Sequence, residues 1–201
     1  MLLDTAREPI FDSLAAMASS LCSTPIALVS LVDSDRQWFK AQVGLPGVAQ
    51  TSRDVAFCDH AIRDDGLMEV ADARDDPRFA GNPLVTGAPD IRFYAGAPLV
   101  METGERIGTL CVIDRQPRRL SASQREALAH LARLTVQALE MRERSIQQSL
   151  VVRTEHERAT AQSERRFRAI LDAQTELVSQ SAAEGTLIYV NPAYAAFVGT
   201  T

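Results

Sequence analysis

Lysine is almost absent: Lys40 is the only one among 21 basic residues in a chain of 201, and the arginines are interspersed with 26 acidic residues for a net charge of -5. That distribution leaves no polybasic patch, which excludes a surface built for nucleic acid or for an anionic membrane. Cysteine is scarce too. Cys22, Cys58 and Cys111 lie far apart without a C-x-x-C pair, and with the three dispersed histidines they form no metal-ligand spacing. The odd thiol count and the lack of a signal-peptide pattern predict a reducing, cytoplasmic setting. No run of about eighteen apolar residues occurs, so no membrane span is expected. Gly and Pro are missing from Ser121 to Ala173, which predicts one long, partly projecting helix.

What is present centres on Ile91 to Asp114, IRFYAGAPLVMETGERIGTLCVID, read as two strands joined by the turn Glu102-Thr103-Gly104-Glu105. On its second strand Ile107, Thr109, Cys111 and Ile113 share one face, and Gly108, Leu110 and Val112 the other. Neither face is polar, so the hairpin belongs in a sheet covered on both sides.

Before it, Ile10, Phe11, Leu14, Met17, Ala18 and Leu21 recur at helical spacing, predicting an amphipathic helix from Asp4 to Cys22. Ile26 to Val32 and Gln37 to Val43 read as a hairpin about Asp33-Ser34-Asp35. Trp38 and Phe39 alternate there, so one of the two is expected in the core. The segment LPGVAQTSRD reads as a loop, Val55 to Arg63 as a short helix capped by Asp54, and Leu67 to Ala71 as a short strand. Asp72 to Asp90 is a long loop anchored by Phe79, Leu84 and Val85, and loops of that length in a compact domain carry function.

Ser121 and Gln124 fit a capping box at the start of the long helix. Its first half carries Leu128, Leu131, Leu134, Leu139, Ile146 and Leu150, while Arg153 to Arg166 is polar with isolated alanines. That polar half reads either as a solvated linker or as a weak dimeric coiled coil able to shift register. Gly185 to Val190 then reads as a strand, with Asn191 and Pro192 opening a short helix that Gly199 stops.

The segments Leu3-Asp4-Thr5, Phe11-Asp12, PIALVSLVD, DRQWFKAQVGL, AFCDHAI, DARDDPRFAGNPLV, IRFYAGAPL and GTLCVID together resemble the GAF domain family, in the bacterial branch found at the front of sensor histidine kinases and diguanylate cyclases. RFRAILDAQTELV followed by GTLIYVNPAYAAFVG resembles the start of a PAS domain. The resemblance implies an α+β fold, a GAF-like central antiparallel sheet with helices on both sides, over residues 3–145. A helical linker would follow at 146–163 and a truncated PAS fragment at 164–201. It further implies a small-molecule ligand between sheet and roof, homodimers through the terminal helices, and a signal leaving along the exit helix to a histidine kinase or diguanylate cyclase output of a two-component or cyclic-nucleotide signalling protein.

By the same resemblance the pocket would be lined from the loop Asp72 to Asp90 and the strand Arg92 to Ala97. Arg78, Phe79, Arg92 and Tyr94 are the ligand-binding candidates, with Trp38, Cys58 and His60 behind them. The competing reading has Arg78 and Arg92 paired with carboxylates such as Asp72, Asp75 or Asp114, and the aromatics as core. Cys58, two residues before His60, has the setting of an activated thiol. It lies near a cysteine of the free methionine sulfoxide reductases, but GAPDIRFYAGAP lacks the further cysteine those enzymes use, so catalysis is not expected. Cys22 and Cys111 read as small buried hydrophobes.

A bilin is not expected, since no Cys lies between Cys58 and Cys111. A cyclic nucleotide is not expected either, because Lys40 is not preceded by Asn. The ligand, if any, stays unassigned, with a lone histidine giving weak grounds for haem. Three functions follow as alternatives: a sensory input module, a thiol enzyme using Cys58, or a ligand-free structural dimerisation module.

Overall fold

In the computed structural model residues 3–199 are described, and the chain divides into two units at Arg144/Ser145. The first is built on a six-stranded antiparallel sheet. The β-branched run Ile26–Val32 forms β1 and Arg36–Val43 forms β2, paired antiparallel about the expected turn. Phe93–Val100 and Arg106–Asp114 form the hairpin predicted from the central segment; with β3 (Gln50–Ser52) and β4 (Met68–Val70) at the edges these are β5 and β6. The spatial order is β3-β2-β1-β6-β5-β4, so β1 and β6 lie innermost.

Alternation then sorts the side chains. Phe93, Ala95, Leu110 and Val112 face a core completed by helix α1 (Pro9–Cys22) and the first part of α4 (Ala122–Asp172). Tyr94, Cys111 and Ile113 face a second core under a roof made by α2 (Phe57–Ala61), α3 (Pro83–Thr86) and their loops. Burial of each large apolar side chain contributes about 1.5–3 kcal/mol, and both faces supply many.

Helix α1 buries Phe11, Leu14, Ala15, Ala18 and Cys22, the predicted stripe. It begins at Pro9 rather than Asp4, because Pro is pre-organised for the first helical position and Thr5 to Glu8 are engaged elsewhere. The Lys40 ammonium, nearly fully buried, donates to Glu8 Oε1 (2.6 Å), Thr5 Oγ1 (2.7 Å) and the Ala6 carbonyl (3.0 Å).

Helix α4 is a single helix of 51 residues. Its capping box is formed, with Gln124 N donating to Ser121 Oγ (3.2 Å) and Ser121 N to Gln124 Oε1 (3.0 Å). Leu128, Leu131, Ala132, Val136 and Leu139 bury against the sheet, whereas Leu134 and Leu150 are exposed. The buried stripe ends at Glu140, whose Oε1 accepts from Glu102 N (2.8 Å) in the turn between β5 and β6.

Four further local expectations are corrected. Trp38 and Phe39 are both buried, on opposite faces, because both faces of β2 carry a core. LPGVAQTSRD is not all loop: Gln50–Ser52 pairs with Arg36–Trp38 as an edge strand too short to show a period. The roof helix starts at Phe57 rather than Val55, with no side-chain cap from Asp54, which sits in a separate 3-10 turn, Arg53–Val55. The long loop Asp72 to Asp90 contains the one-turn helix α3, capped by Asn82 Oδ1 accepting from Leu84 N (2.9 Å).

In the second unit, residues 145–199, the rest of α4 is followed by the hairpin β7 (Ser179–Ser181) and β8 (Leu187–Val190) and by α5 (Pro192–Val198). Asn191 caps α5 as predicted, accepting from Tyr194 N (3.0 Å) and from Val178 N (3.0 Å), and donating to Glu176 O (2.8 Å). Gly199 stops it with φ +80°. Residues 200 and 201 of the expected 164–201 segment lie outside the described residues.

Candidate functional site

Between the sheet and its roof lies a cavity of about 250 Å³. The floor is Leu28 from β1, Gln37 and Phe39 from β2, Tyr94 from β5 and Ile113 from β6. The roof and rim come from Leu45, Val48, Thr51, Ala56, Phe57, Cys58, Leu84, Ala88, Pro89 and Ile91. Among the described residues no lining side chain is charged.

The roof is held down by aromatic stacking and by arginines. Phe57 stacks on Phe79 (centroids 4.0 Å, 11°) and tilts against Tyr94 (5.2 Å, 31°). Arg92 donates to the Val85 carbonyl (2.8 Å) and pairs with Asp90 (3.1 Å), tying α3 to β5. Asn82 Nδ2 donates to the Val55 carbonyl (2.9 Å), joining the two halves of the roof. Arg53 pairs with Asp59 (2.7 Å), which also takes Arg63 (2.5 Å).

Of the seven predicted residues, Cys58 and Tyr94 line the cavity. Phe79 lies one layer behind, fully buried under Phe57. His60 meets Phe79 edge-on (4.9 Å) outside the cavity, and burial followed by the charge of Arg63 lowers its pKa below the ordinary value. Arg78 is exposed, paired with Asp76 (2.7 Å) and lying 5.0 Å over the Phe79 ring. Arg92 braces the roof from the side. Trp38 is on the opposite face of the sheet, because its neighbour Phe39 holds the cavity position. The two arginines are thus ion-paired, as the competing reading expected, but with Asp76 and Asp90. Asp72 instead takes Arg74 (2.6 Å), and Asp114 takes Arg118.

Sequence reasoning missed Gln37, Phe39, Thr51 and Phe57. The β2 alternation carried the signal for Gln37 and Phe39, since both stand on the face away from Trp38. Thr51 gave none, because β3 was not foreseen.

Two thiols meet at the floor: Cys58 Sγ lies 3.9 Å from Cys111 Sγ. Thr109 Oγ1 (3.0 Å) and the Tyr94 hydroxyl (3.3 Å) both donate to Cys58 Sγ. Gly96, two residues along the same strand face as Tyr94, makes this reach possible, because a Cβ there would overlap the Tyr94 ring and hydroxyl. Burial raises the Cys58 thiol, and hydrogen bonds from Cys111, Thr109 and Tyr94 bring it down to about 7. Cys111, engaged with that sulfur and buried, is held well above its ordinary value, and burial does the same to Tyr94. Among the described residues no three His, Cys, Asp or Glu side chains are grouped to hold a metal, and no helix is long and apolar enough to cross a membrane.

Comparison with known proteins agrees with this architecture. Residues 6–139 match the GAF domain model. A cyclic di-GMP phosphodiesterase of Pseudomonas aeruginosa is 50% identical over 136 residues, which is 67% of this chain and 23% of that protein. The chain therefore spans about a quarter of that relative's length. Among solved structures, a free methionine-R-sulfoxide reductase from Neisseria meningitidis in complex with its substrate superposes with TM-score 0.56 at 18% identity, over 72% of this chain and 84% of that one. The GAF domain of an Acinetobacter phosphoenolpyruvate-protein phosphotransferase gives 0.55 at 18% identity, over 70% and 86%. At such identities the superpositions speak for the fold alone. The two-core antiparallel sheet with its roofed cavity, together with the match over residues 6–139, identifies the chain as a member of the GAF domain family.

Proposed function

We propose that the chain is the regulatory input module of a cytoplasmic signal-transduction protein and has no chemistry of its own. The observation that carries this reading is the roofed cavity whose floor strands bear α4 on their other face. A ligand preferring one arrangement of β1, β5 and β6 also prefers one seat for α4, and it shifts the population by its differential affinity for the two. Glu140, bonded to the β5–β6 turn, ends the part of α4 that follows the sheet.

In this reading residues 3–145 are the sensory domain, 146–163 a signalling helix and 164–201 the start of a PAS domain. The Asn191-capped turn between β8 and α5 supports that last assignment. Exposed Ile10, Met17 and Leu21 on α1, with Leu134 and Met141 on α4, supply an apolar surface for a homodimer through the terminal helices, continued as a coiled coil. The output is a separate segment: a histidine kinase or diguanylate cyclase, or, as the Pseudomonas relative's name suggests, a domain that degrades cyclic di-GMP.

A second reading, thiol chemistry at Cys58 of the methionine sulfoxide reductase type, draws on the close approach of Cys58 to Cys111. Cys58→Ser abolishes turnover in that case and leaves a sensor domain folded.

Native mass spectrometry of the purified chain, with an absorption spectrum of the same sample, tests the sensory reading. A dimer that retains a small molecule, or takes one up from a cell extract, is the expected result. A bare dimer that takes up nothing overturns it in favour of the structural module, and a bare monomer removes the helix-mediated dimer as well.

A further inference from the structure

The cavity says what kind of molecule it takes. Its volume of about 250 Å³, filled at ordinary protein packing density, admits on the order of ten non-hydrogen atoms. Among the described residues no cation lines it, and two arginines of the roof are already engaged: Arg53 by Asp59 and the Asp33 carbonyl, Arg92 by Asp90 and the Val85 carbonyl. An anion placed here would lose its hydration without gaining a partner, a loss that outweighs its apolar contacts. A cyclic mononucleotide or dinucleotide is wrongly charged for such a lining.

The wall is nevertheless not wholly apolar. Gln37 is 5% exposed, and its Oε1 is buried with no hydrogen-bond partner; Thr51 Oγ1 is in the same condition. The two residues are directly opposite in the β2–β3 register, so both orphaned oxygens belong to one end of the cavity. At the other polar group, Cys58 Sγ, the hydrogen bonding is already supplied by Thr109 and Tyr94. A buried acceptor left unpaired destabilises the fold, and a ligand that donates to it removes that cost.

We propose that the cavity binds a small, neutral, largely apolar molecule, aromatic in shape, whose single N–H or O–H donates to Gln37 Oε1, with Thr51 Oγ1 beside it. Phe39, Phe57 and Tyr94 receive its apolar body. This deepens the sensory reading above and rests on it.

Indole serves as the probe, with benzofuran as the same shape lacking the donor, and with cyclic GMP and cyclic di-GMP as the charged alternatives. In isothermal titration on the full chain, indole binds at one per chain and benzofuran at least about tenfold more weakly. Gln37→Leu brings indole down to the benzofuran level without weakening benzofuran. Thr51→Val, which keeps the shape on an edge strand, gives a smaller loss and guards against a Gln37→Leu variant that misfolds. Equal binding of indole and benzofuran to the unaltered chain overturns the role of Gln37. Binding of a cyclic nucleotide in place of indole overturns the ligand class but leaves the cavity a sensor site. Binding of no probe overturns the proposal, whereas the sensory reading itself falls only to a bare dimer or monomer that takes up nothing from a cell extract.

Discussion

At the scale of single residues, Lys40 joins two elements through one buried ammonium. It is the only lysine in the sequence, and its ammonium ties the segment before α1 to β2 while lying 5.1 Å over the Phe11 ring. Removing it leaves Glu8 with only Arg142, at 3.1 Å. Since the Glu8 side chain is about a quarter exposed (27%), Lys40→Ala is expected to cost roughly 2 kcal/mol in urea denaturation, below the 3–5 kcal/mol of a fully buried broken pair. Lys40→Met, which keeps the apolar stem, costs less. Cys58 makes the opposite point. Its pKa, brought down to about 7, favours the nucleophilic thiolate, yet the residue is only 1% exposed. Iodoacetamide is therefore expected to modify it slowly, through local opening, at a rate that rises between pH 7 and 9 as the opened thiol ionises near its ordinary value. Rapid modification that is already close to its maximum by about pH 8 would mark an accessible thiolate and favour the redox reading.

At the scale of elements, the close pairing of β1 with β6 depends on Gly108, where a Cβ would run into the backbone of Ser30. Gly108→Ala is expected to destabilise by more than about 3 kcal/mol, since backbone cannot step aside as a flexible side chain can. A variant with unchanged thermal unfolding would show that the strands separate freely. In the second unit Asn191 joins the start of α5 to the segment before β7. Asn191→Ala should abolish hydrogen-exchange protection at Val178 and Tyr194 while leaving the sheet of the first unit protected. Helices and strands with a clear period were legible in the sequence: the stripe on α1, the β5–β6 hairpin, the capping box and the 51-residue helix all rest on local spacing. The three-residue edge strand and the true start of α2 were not, because each is held by partners distant in the chain rather than by its own pattern.

At the scale of the whole molecule, stability should fall at both ends of the pH range. Burial works against the charged forms of Glu8 and Asp59, but Lys40 and Arg142 hold Glu8 below its ordinary pKa, and Arg63 and Arg53 do so for Asp59. A depressed carboxylate contributes stability that is present above its unfolded value, near 4, and lost as pH falls through the folded one. For Cys111 and Tyr94 the sign reverses. Both are raised in the folded state, so their contribution is complete below the unfolded values and is lost as pH rises above about 9. Between these limits His60 and Cys58, both lowered in the folded state, add stability as pH rises, Cys58 from about 7 to its unfolded value near 9. Thermal unfolding followed from pH 3 to 10 should therefore give a midpoint that climbs to about pH 9 and then falls, and one that kept rising above about pH 9 would contradict the burial of Cys111 and Tyr94.

The sequence by itself determined the family, the antiparallel hairpin at the centre, the apolar coverage of both sheet faces and the length of α4, because each is written in residues near one another in the chain. Only the tertiary structure decided which side chains meet at the cavity. The packing of the sheet turned Trp38 away and Phe39 inward, engaged Arg78 and Arg92 with Asp76 and Asp90, and set Gln37 beside Thr51. Those outcomes depend on register and on the competition of neighbours for the same charge or space, quantities that exist only once strands distant in sequence are adjacent.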